Sequence, residues 1–207
     1  MLLEPNLLIF ILAVIGGYFI GSIPFGFLIT KLKGYKDIRK VGSGNIGATN
    51  VLRNSGPKLA LITLLLDGAK GYTAVIIATN LIDIYSIQEA SEIGGLIAGA
   101  GSVLGHNFPV WLKFKGGKGV ATTLGIMIGS VPIVGFMACV IWICMAIIFR
   151  YSSVAALIAL ATSPIFALIL GMKEPALMFL ALAILGWVRH WNNISRLIKG
   201  EEPHIGR

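Results

Sequence analysis

Two stretches of this chain hold anion-binding residue types at spacings that bring them together. The first runs Lys40-Val41-Gly42-Ser43-Gly44-Asn45-Ile46-Gly47-Ala48-Thr49-Asn50-Val51-Leu52-Arg53. Its glycines let successive backbone N–H groups converge, Ser43, Asn45, Thr49 and Asn50 add short polar side chains, and Arg53 adds a bidentate guanidinium. Those are the parts of a phosphate cradle; a Gly-rich turn capping the next helix is the alternative that the residues leave open. Gly42, Gly44 and Gly47 formally match the dinucleotide fingerprint G-x-G-x-x-G, but that motif needs a preceding strand in a βαβ unit and an acidic residue further on. Here it follows a basic loop between apolar segments, so a dinucleotide is set aside.

The second stretch, Gly105-His106 through Gly119, places Lys113, Lys115 and Lys118 around the pair Gly116-Gly117. It fails the P-loop pattern, because Lys118 is followed by Gly119 rather than Ser or Thr and Lys113 stands where that pattern needs glycine. Trp111 and the lysines could grip anionic headgroups as an interfacial anchor. A second anion site is favoured, since Gly-Gly removes side chains where lysines converge and the N–H groups of Gly119, Val120 and Ala121 open the next helix.

A third cluster joins Arg150-Tyr151-Ser152-Ser153 to the run from Arg189 to Arg196. If the last helix continues, His190, Asn193 and Arg196 share roughly one face, although the arginines would also serve as plain positive anchors. Asp67 and Lys70, three apart in an apolar segment, read either as a mutual ion pair or as functional charges. Cys139 and Cys144 lie in an apolar run away from any Cys/His cluster and read as small packing residues. No metal ligand set is present, and no cofactor is implied.

The elements that must position these residues are membrane helices. Of 207 residues only 13% are charged, about half the ~25% of a soluble domain, and 56% are hydrophobic. Leu7 to Leu28 carries no charge over a length that spans a bilayer. Glu4 and the lack of a basic leader region argue that this first segment is retained. Apolar runs fall at about 6–30, 58–82, 93–112, 119–149, 153–171 and 175–188. Of 17 Lys+Arg, 15 sit in four clusters: Lys31 to Lys58, Lys113 to Lys118, Arg150, and Arg189 to Arg207. By the positive-inside rule all four face the cytoplasm, whereas the segment with Asp83, Glu89 and Glu92 faces outward.

Six crossings cannot satisfy that pattern, so the run 119–149 is divided at Gly129-Ser130-Val131-Pro132, a turn signal. The expected fold is an all-α membrane protein, a single domain over 1–207. It has about seven transmembrane helices, some short or broken, with its N-terminus out and its C-terminus cytoplasmic. Gly119 to Gly129 would be only about 16 Å long, short of a ~30 Å hydrocarbon core. Gly95-x-x-x-Gly99 suits close helix contact. All three polar clusters then share the cytoplasmic side, where a ligand with more than one negative group would bind.

The strings Gly21-Ser22-Ile23-Pro24-Phe25-Gly26, Gly42 through Asn50, Gly105-His106 with Phe114 through Thr122, and Arg189-His190-x-x-Asn193-Ile194-x-Arg196 carry a family resemblance. The chain resembles the bacterial acyl-phosphate-dependent glycerol-3-phosphate acyltransferases over essentially its whole length. The resemblance implies a multi-pass enzyme of the bacterial inner membrane with its site facing the cytoplasm. It would move a fatty acyl group from acyl phosphate to the 1-hydroxyl of glycerol 3-phosphate, giving lysophosphatidate and phosphate. Its partners would be those two substrates and membrane lipids, with no nucleic acid and no protein partner called for.

By the same resemblance Ser43 and Arg53 hold the phosphate of glycerol 3-phosphate, joined by Lys115, Ser153, His190 and Asn193. Gly116, Gly117, Lys118 and Gly119 hold the acyl phosphate, and Gly44, Asn45, Thr49, His106 and Arg196 are further substrate-binding candidates. His190 and Asn193 are the catalytic candidates, with His190 either the base or a phosphate ligand and the substrate's own phosphate the alternative proton acceptor; Glu202 matches the family's Gly-x-Glu without an assigned role. The His-x4-Asp pair of other acyltransferases is absent: Trp111 lies five positions after His106 and Ser195 five after His190. A transporter would show corresponding motifs in two repeat halves, and the two glycine loops share no spacing. Replacing Arg53 by Lys is expected to raise the apparent KM for glycerol 3-phosphate, because an ammonium cannot reproduce a bidentate guanidinium contact; steady-state kinetics with an unchanged KM would assign Arg53 to anchoring.

Overall fold

Lipid offers no partner for backbone N–H and C=O groups, so apolar runs of this length must close their hydrogen bonds within helices. The computed structural model describes residues 3–84 and 88–205, and among them no strand occurs. The helices are α1 (Leu3–Gly21), α2 (Phe25–Leu32), α3 (Ala48–Ser55), α4 (Pro57–Ile84), α5 (Gln88–Asn107), α6 (Val120–Ser130), α7 (Pro132–Phe149), α8 (Ser152–Ile169), α9 (Lys173–Arg189) and α10 (Trp191–Ile198). Among the described residues four stretches are long and apolar enough to cross a membrane: Leu7–Leu32, Pro57–Ile84, Pro132–Phe149 and Ser152–Ile169. Large apolar side chains such as Leu12, Phe136, Ile147 and Leu168 remain exposed on the outer surface, as expected of lipid-facing positions. The α4–α5 link at 85–87, the side chain of Glu89 and the basic residue Arg207 lie outside the described residues.

Small residues set the packing. A Cβ on Gly21 of α1 would stand 1.9 Å from the Ser102 carbonyl oxygen, and one on Gly105 of α5 would stand 2.1 Å from that of Tyr18. The two backbones therefore touch directly, as small-xxx-small helix pairs do in lipid, here through Gly17/Gly21 and Gly101/Gly105. Gly95 and Gly99, singled out from spacing, face Thr79, Val75 and Ile126 instead. Deeper in, Val75, Leu96, Val103, Ile126, Met127, Val134, Leu160 and Phe179 form the main core, which holds the short α6 between its longer neighbours.

Two breaks decide where the polar groups can sit. The run 119–149 divides at Val131, with Pro132 opening α7. The run 6–30, expected as one segment, is interrupted by Ser22-Ile23-Pro24. Proline lacks an N–H and disfavours helix in the residue before it, so the chain leaves the helix here, and the Ile23 carbonyl accepts from Phe25 N at 3.1 Å rather than along a helical ladder. Lys70 of α4 donates to that carbonyl oxygen at 3.0 Å and pairs with Asp67 Oδ1 at 3.0 Å, both side chains being almost fully buried. Asp67 Oδ1 also lies 3.6 Å from His106 Nδ1 on α5. The sequence left these two residues as a pair or as functional charges; they pair, and they also join α4 to α5 and to the break between α1 and α2.

Removing one partner of a buried ion pair strands the other charge. Asp67→Leu or Lys70→Met alone should lower stability by about 3–5 kcal/mol, and the double variant should be less destabilised than either single. Thermal melts in detergent check this; additive losses would show that the two charges are independent.

Candidate active site

A cavity of about 470 Å³ opens among α3, α4, α6, α7, α8 and the α9–α10 junction. Its polar part holds Ser43, Asn45, Thr49, Arg53, Asp67, His106, Lys118, Ser153, His190, Asn193 and Glu202. It continues into an apolar part formed by Leu64, Leu65 and Tyr72 of α4, Leu124 and Ile128 of α6, and Cys139, Trp142 and Ile143 of α7. Three helix N-termini converge on the polar part, bringing Gly47–Thr49 of α3, Val120–Ala121 of α6 and Ser152–Ser153 of α8 to its wall. Each contributes orphan N–H groups and the positive end of a helix dipole.

Asn50 organises the first loop. Its side-chain amide is buried and donates to the carbonyls of Ile38, Val41 and Asn45, while its Oδ1 accepts from Ser43 N at 3.0 Å. Gly42 and Gly44 take positive φ, which lets the chain wrap around that amide. Asn45 Oδ1 accepts from Gly47 N, and Thr49 Oγ1 pairs with Ser152 Oγ at 2.9 Å, tying the starts of α3 and α8 together. Gly44 lies off the cavity; its part is conformational.

The second loop is built differently from what its composition suggests. The N–H groups of Gly116 and Gly117 are donated to the carbonyls of Asn107 and His106 at the end of α5, so they support the loop rather than face the cavity. A Cβ on Gly117 would stand 1.9 Å from His106 Nε2, so the imidazole packs directly under the glycine. Lys115 is solvent-exposed and does not line the cavity. None of the three lines the cavity, where the sequence reading places them: pairing with α5 uses up the glycine amides, and Lys115 stands at the surface. Gly119, at φ +78°, aims α6, and the usable amides begin at Val120. Lys118 does enter the cavity, where its Nζ donates to Asn193 Oδ1. Burial pushes its ammonium down to about 8, against the opposing pull of Glu202.

Sequence periodicity places His190, Asn193 and Arg196 on one helix face, but the helix breaks at His190 and restarts as α10. His190 Nδ1 lies 2.7 Å from Gly186 O. A carbonyl only accepts, so Nδ1 carries the proton and Nε2 keeps its lone pair. Burial, with the Lys118 charge adding to it, pushes the ring down to about 4, and the imidazole is neutral at working pH.

Glu202, left without a role by sequence, is the hub of this corner. Its Oε1 accepts from Ser153 Oγ at 2.8 Å and Asn193 Nδ2 at 2.6 Å, and its Oε2 accepts from Arg196 Nε at 2.8 Å. Burial works to raise its carboxyl, but those donors outweigh it and hold the group below the usual range. Arg196 is thereby turned to Glu202 and away from the cavity, a further correction. Ser153 and Asn193 reach the cavity with side chains already committed to the carboxylate. Arg53 reaches the cavity while donating from Nη2 to Pro203 O at 3.0 Å and His204 O at 3.4 Å.

Spacing brought Ser43, Asn45, Thr49, Arg53, His106, Lys118, Gly119, Ser153, His190 and Asn193 to one cavity. It placed Asn50 in the first loop and Ser152 in the third cluster without giving either a role, left Asp67 as an ion pair or a functional charge, and did not mark the apolar wall with Cys139 and Trp142. The polar cluster of residues 43–53 was a usable signal for Asn50, and the Ser152-Ser153 pair one for Ser152; no local pattern marks the wall.

Comparison with known proteins follows this geometry. The sequence model of the family described as glycerol-3-phosphate acyltransferase matches residues 11–200. A glycerol-3-phosphate acyltransferase of Rhodospirillum rubrum is 50% identical over 204 residues, covering 99% of this chain and 94% of its own. One of Paramagnetospirillum magneticum is 54% identical over 194 residues, covering 94% and 92%. The crystal structure of PlsY (YgiH), an integral membrane glycerol 3-phosphate acyltransferase, in its glycerol 3-phosphate form superposes with a TM-score of 0.86 at 38% identity, covering 95% of this chain and 96% of that one. Its lysophosphatidic acid form superposes with a TM-score of 0.84 at 37% identity, covering 95% of each. Matched over nearly its full length in sequence and in fold, the chain belongs to the glycerol-3-phosphate acyltransferase family.

Proposed function

We propose that the chain transfers a fatty acyl group from acyl phosphate to the 1-hydroxyl of glycerol 3-phosphate, releasing lysophosphatidate and phosphate. The observation that carries this reading is one cavity whose lining joins Arg53, Lys118 and three helix N-termini to an apolar wall. Arg53 and the Ser43 loop suit the small hydrophilic phosphate. Lys118 and the α6 N-terminus suit a phosphate joined to a chain, because the same helix continues into Leu124 and Ile128. The membrane topology belongs to the same proposal: seven segments formed by α1 with α2, α4, α5, α6, α7, α8 and α9, with the N-terminus out and the polar cavity facing the cytoplasm of the bacterial inner membrane.

Acyl phosphate is a mixed anhydride with a good leaving group, so positioning and charge stabilisation suffice without a covalent acyl-enzyme. His190 accepts the proton of the attacking hydroxyl at Nε2, and Asn193, held by Glu202, keeps Lys118 beside it. A bare imidazole at about 4 is a weak base; two phosphate groups brought alongside raise its basicity, as nearby negative charge does. Lys118 and the first amides of α6 take the charge of the departing phosphate. Gly116 and Gly117 hold the loop, and Arg196 holds Glu202.

Purified protein in detergent should release phosphate from acyl phosphate only when glycerol 3-phosphate is present, and should form lysophosphatidate without CoA. Activity confined to acyl-CoA would overturn the donor assignment. A second outcome concerns pH. The Lys118 ammonium is charged below about 8 and neutral above it, so kcat/KM for acyl phosphate should fall as pH rises through that value, since this ratio reports free-enzyme groups. Lys118→Arg should lose that basic limb, because guanidinium does not titrate there. A wild-type profile flat from pH 7 to about 9.5 is the result that counts against it.

A further inference from the structure

Arg53 projects from α3, yet its guanidinium donates to the C-terminal segment, 150 and 151 positions away in sequence. Its Nε is buried and donates to no group among the described residues, which leaves that edge of the fork for a ligand. The receiving carbonyls belong to Pro203 and His204, and their place is set from three sides. Glu202 is gripped by Ser153, Asn193 and Arg196. Beyond them, Ile205 N donates to Arg150 O at 2.7 Å. Between them, the His204 ring stacks on Tyr151, with centroids 4.3 Å apart and planes 20° from parallel. Tyr151 immediately precedes α8, whose first residues Ser152 and Ser153 line the cavity. Neither Tyr151 nor His204 lines it.

We propose that Tyr151 and His204 are positioning residues: their stack fixes the 203–204 backbone as a strap whose carbonyls aim the Arg53 guanidinium at the phosphate of glycerol 3-phosphate. This rests on the acyltransferase reading above. A guanidinium is planar, so two acceptors on Nη2 fix its plane as well as its position. An arginine left to sample its rotamers would have to be ordered at each binding event, a cost of about 0.5–1.5 kcal/mol per rotamer-rich side chain, or roughly 2- to 12-fold in affinity. Because the acceptors are backbone carbonyls, the strap works through its placement. What matters at 204 is a ring that stacks, and the histidine's titration plays no part.

His204→Ala and Tyr151→Ala should each raise the KM for glycerol 3-phosphate about 3- to 10-fold. Each should leave kcat and the KM for acyl phosphate within about twofold, and the double variant should be no worse than either single, because both break one stack. His204→Phe, which keeps a ring over Tyr151, should restore the wild-type value. A merely structural role would shift both KM values together and would not separate the substrates. An unchanged KM for glycerol 3-phosphate in His204→Ala, or equal rises for both substrates, overturns the strap while the acyltransferase reading stands. A wild-type chain that neither turns over nor binds glycerol 3-phosphate by titration calorimetry overturns that reading and the strap with it.

Discussion

The buried ammonium of Lys70 is the constraint on which the site's placement depends. An unpaired charge inside a helix bundle is costly, and this one is met from two directions, by Asp67 on its own helix and by the Ile23 carbonyl at the break before Pro24. The break between α1 and α2 and the charge on α4 thus answer each other. Asp67 reaches on to His106, and the backbone carbonyl of His106 holds Gly117. A line of contacts therefore runs from the first membrane segment through α4 and α5 to the loop that delivers Lys118.

Helix ends supply most of the remaining design. Three N-termini from distant parts of the chain meet at one cavity, and each brings first-turn N–H groups that have no carbonyl partner within the helix and can therefore meet a ligand. The short α6 makes this possible. A full-length span would carry its N-terminus to the membrane edge, whereas α6 is held by backbone contact with α4, where a Cβ on Gly125 would stand 2.0 Å from Gly68 O and one on Gly71 would stand 2.1 Å from Thr122 O. Polar and apolar parts of the cavity are consequently the two ends of one helix environment, which is what an amphipathic substrate requires.

A carboxylate among anion-binding groups looks misplaced until its partners are counted. Glu202 accepts from Ser153, Asn193 and Arg196, so its charge is spent on orienting neighbours. Asn193 then presents its Oδ1 to Lys118, which places the lysine within the cavity and beside His190. The surplus of +8 in the chain is likewise divided: exposed lysines such as Lys115 remain at the surface, while Arg53 and Lys118 are drawn into the cavity by partners far away in sequence.

Hydropathy and charge placement were enough to read an all-helical membrane protein and the division at Val131, because these depend on local composition and on short spacings; the ten predicted residues that line one cavity were named from their motif loops and from the family resemblance. The break at Pro24 was written in the sequence as well, yet a proline in an apolar run marks a kink or a stop equally, and only the ammonium from α4 decides between them. The roles of Gly116 and Gly117 could not be read, since whether an amide faces a ligand or a helix end depends on what packs beneath it. The same holds for Glu202, Arg196 and Arg53. Their chemistry is plain from residue type, but their partners lie up to 151 positions away, and tertiary contact alone determines which groups remain for substrate and which hold the others in place.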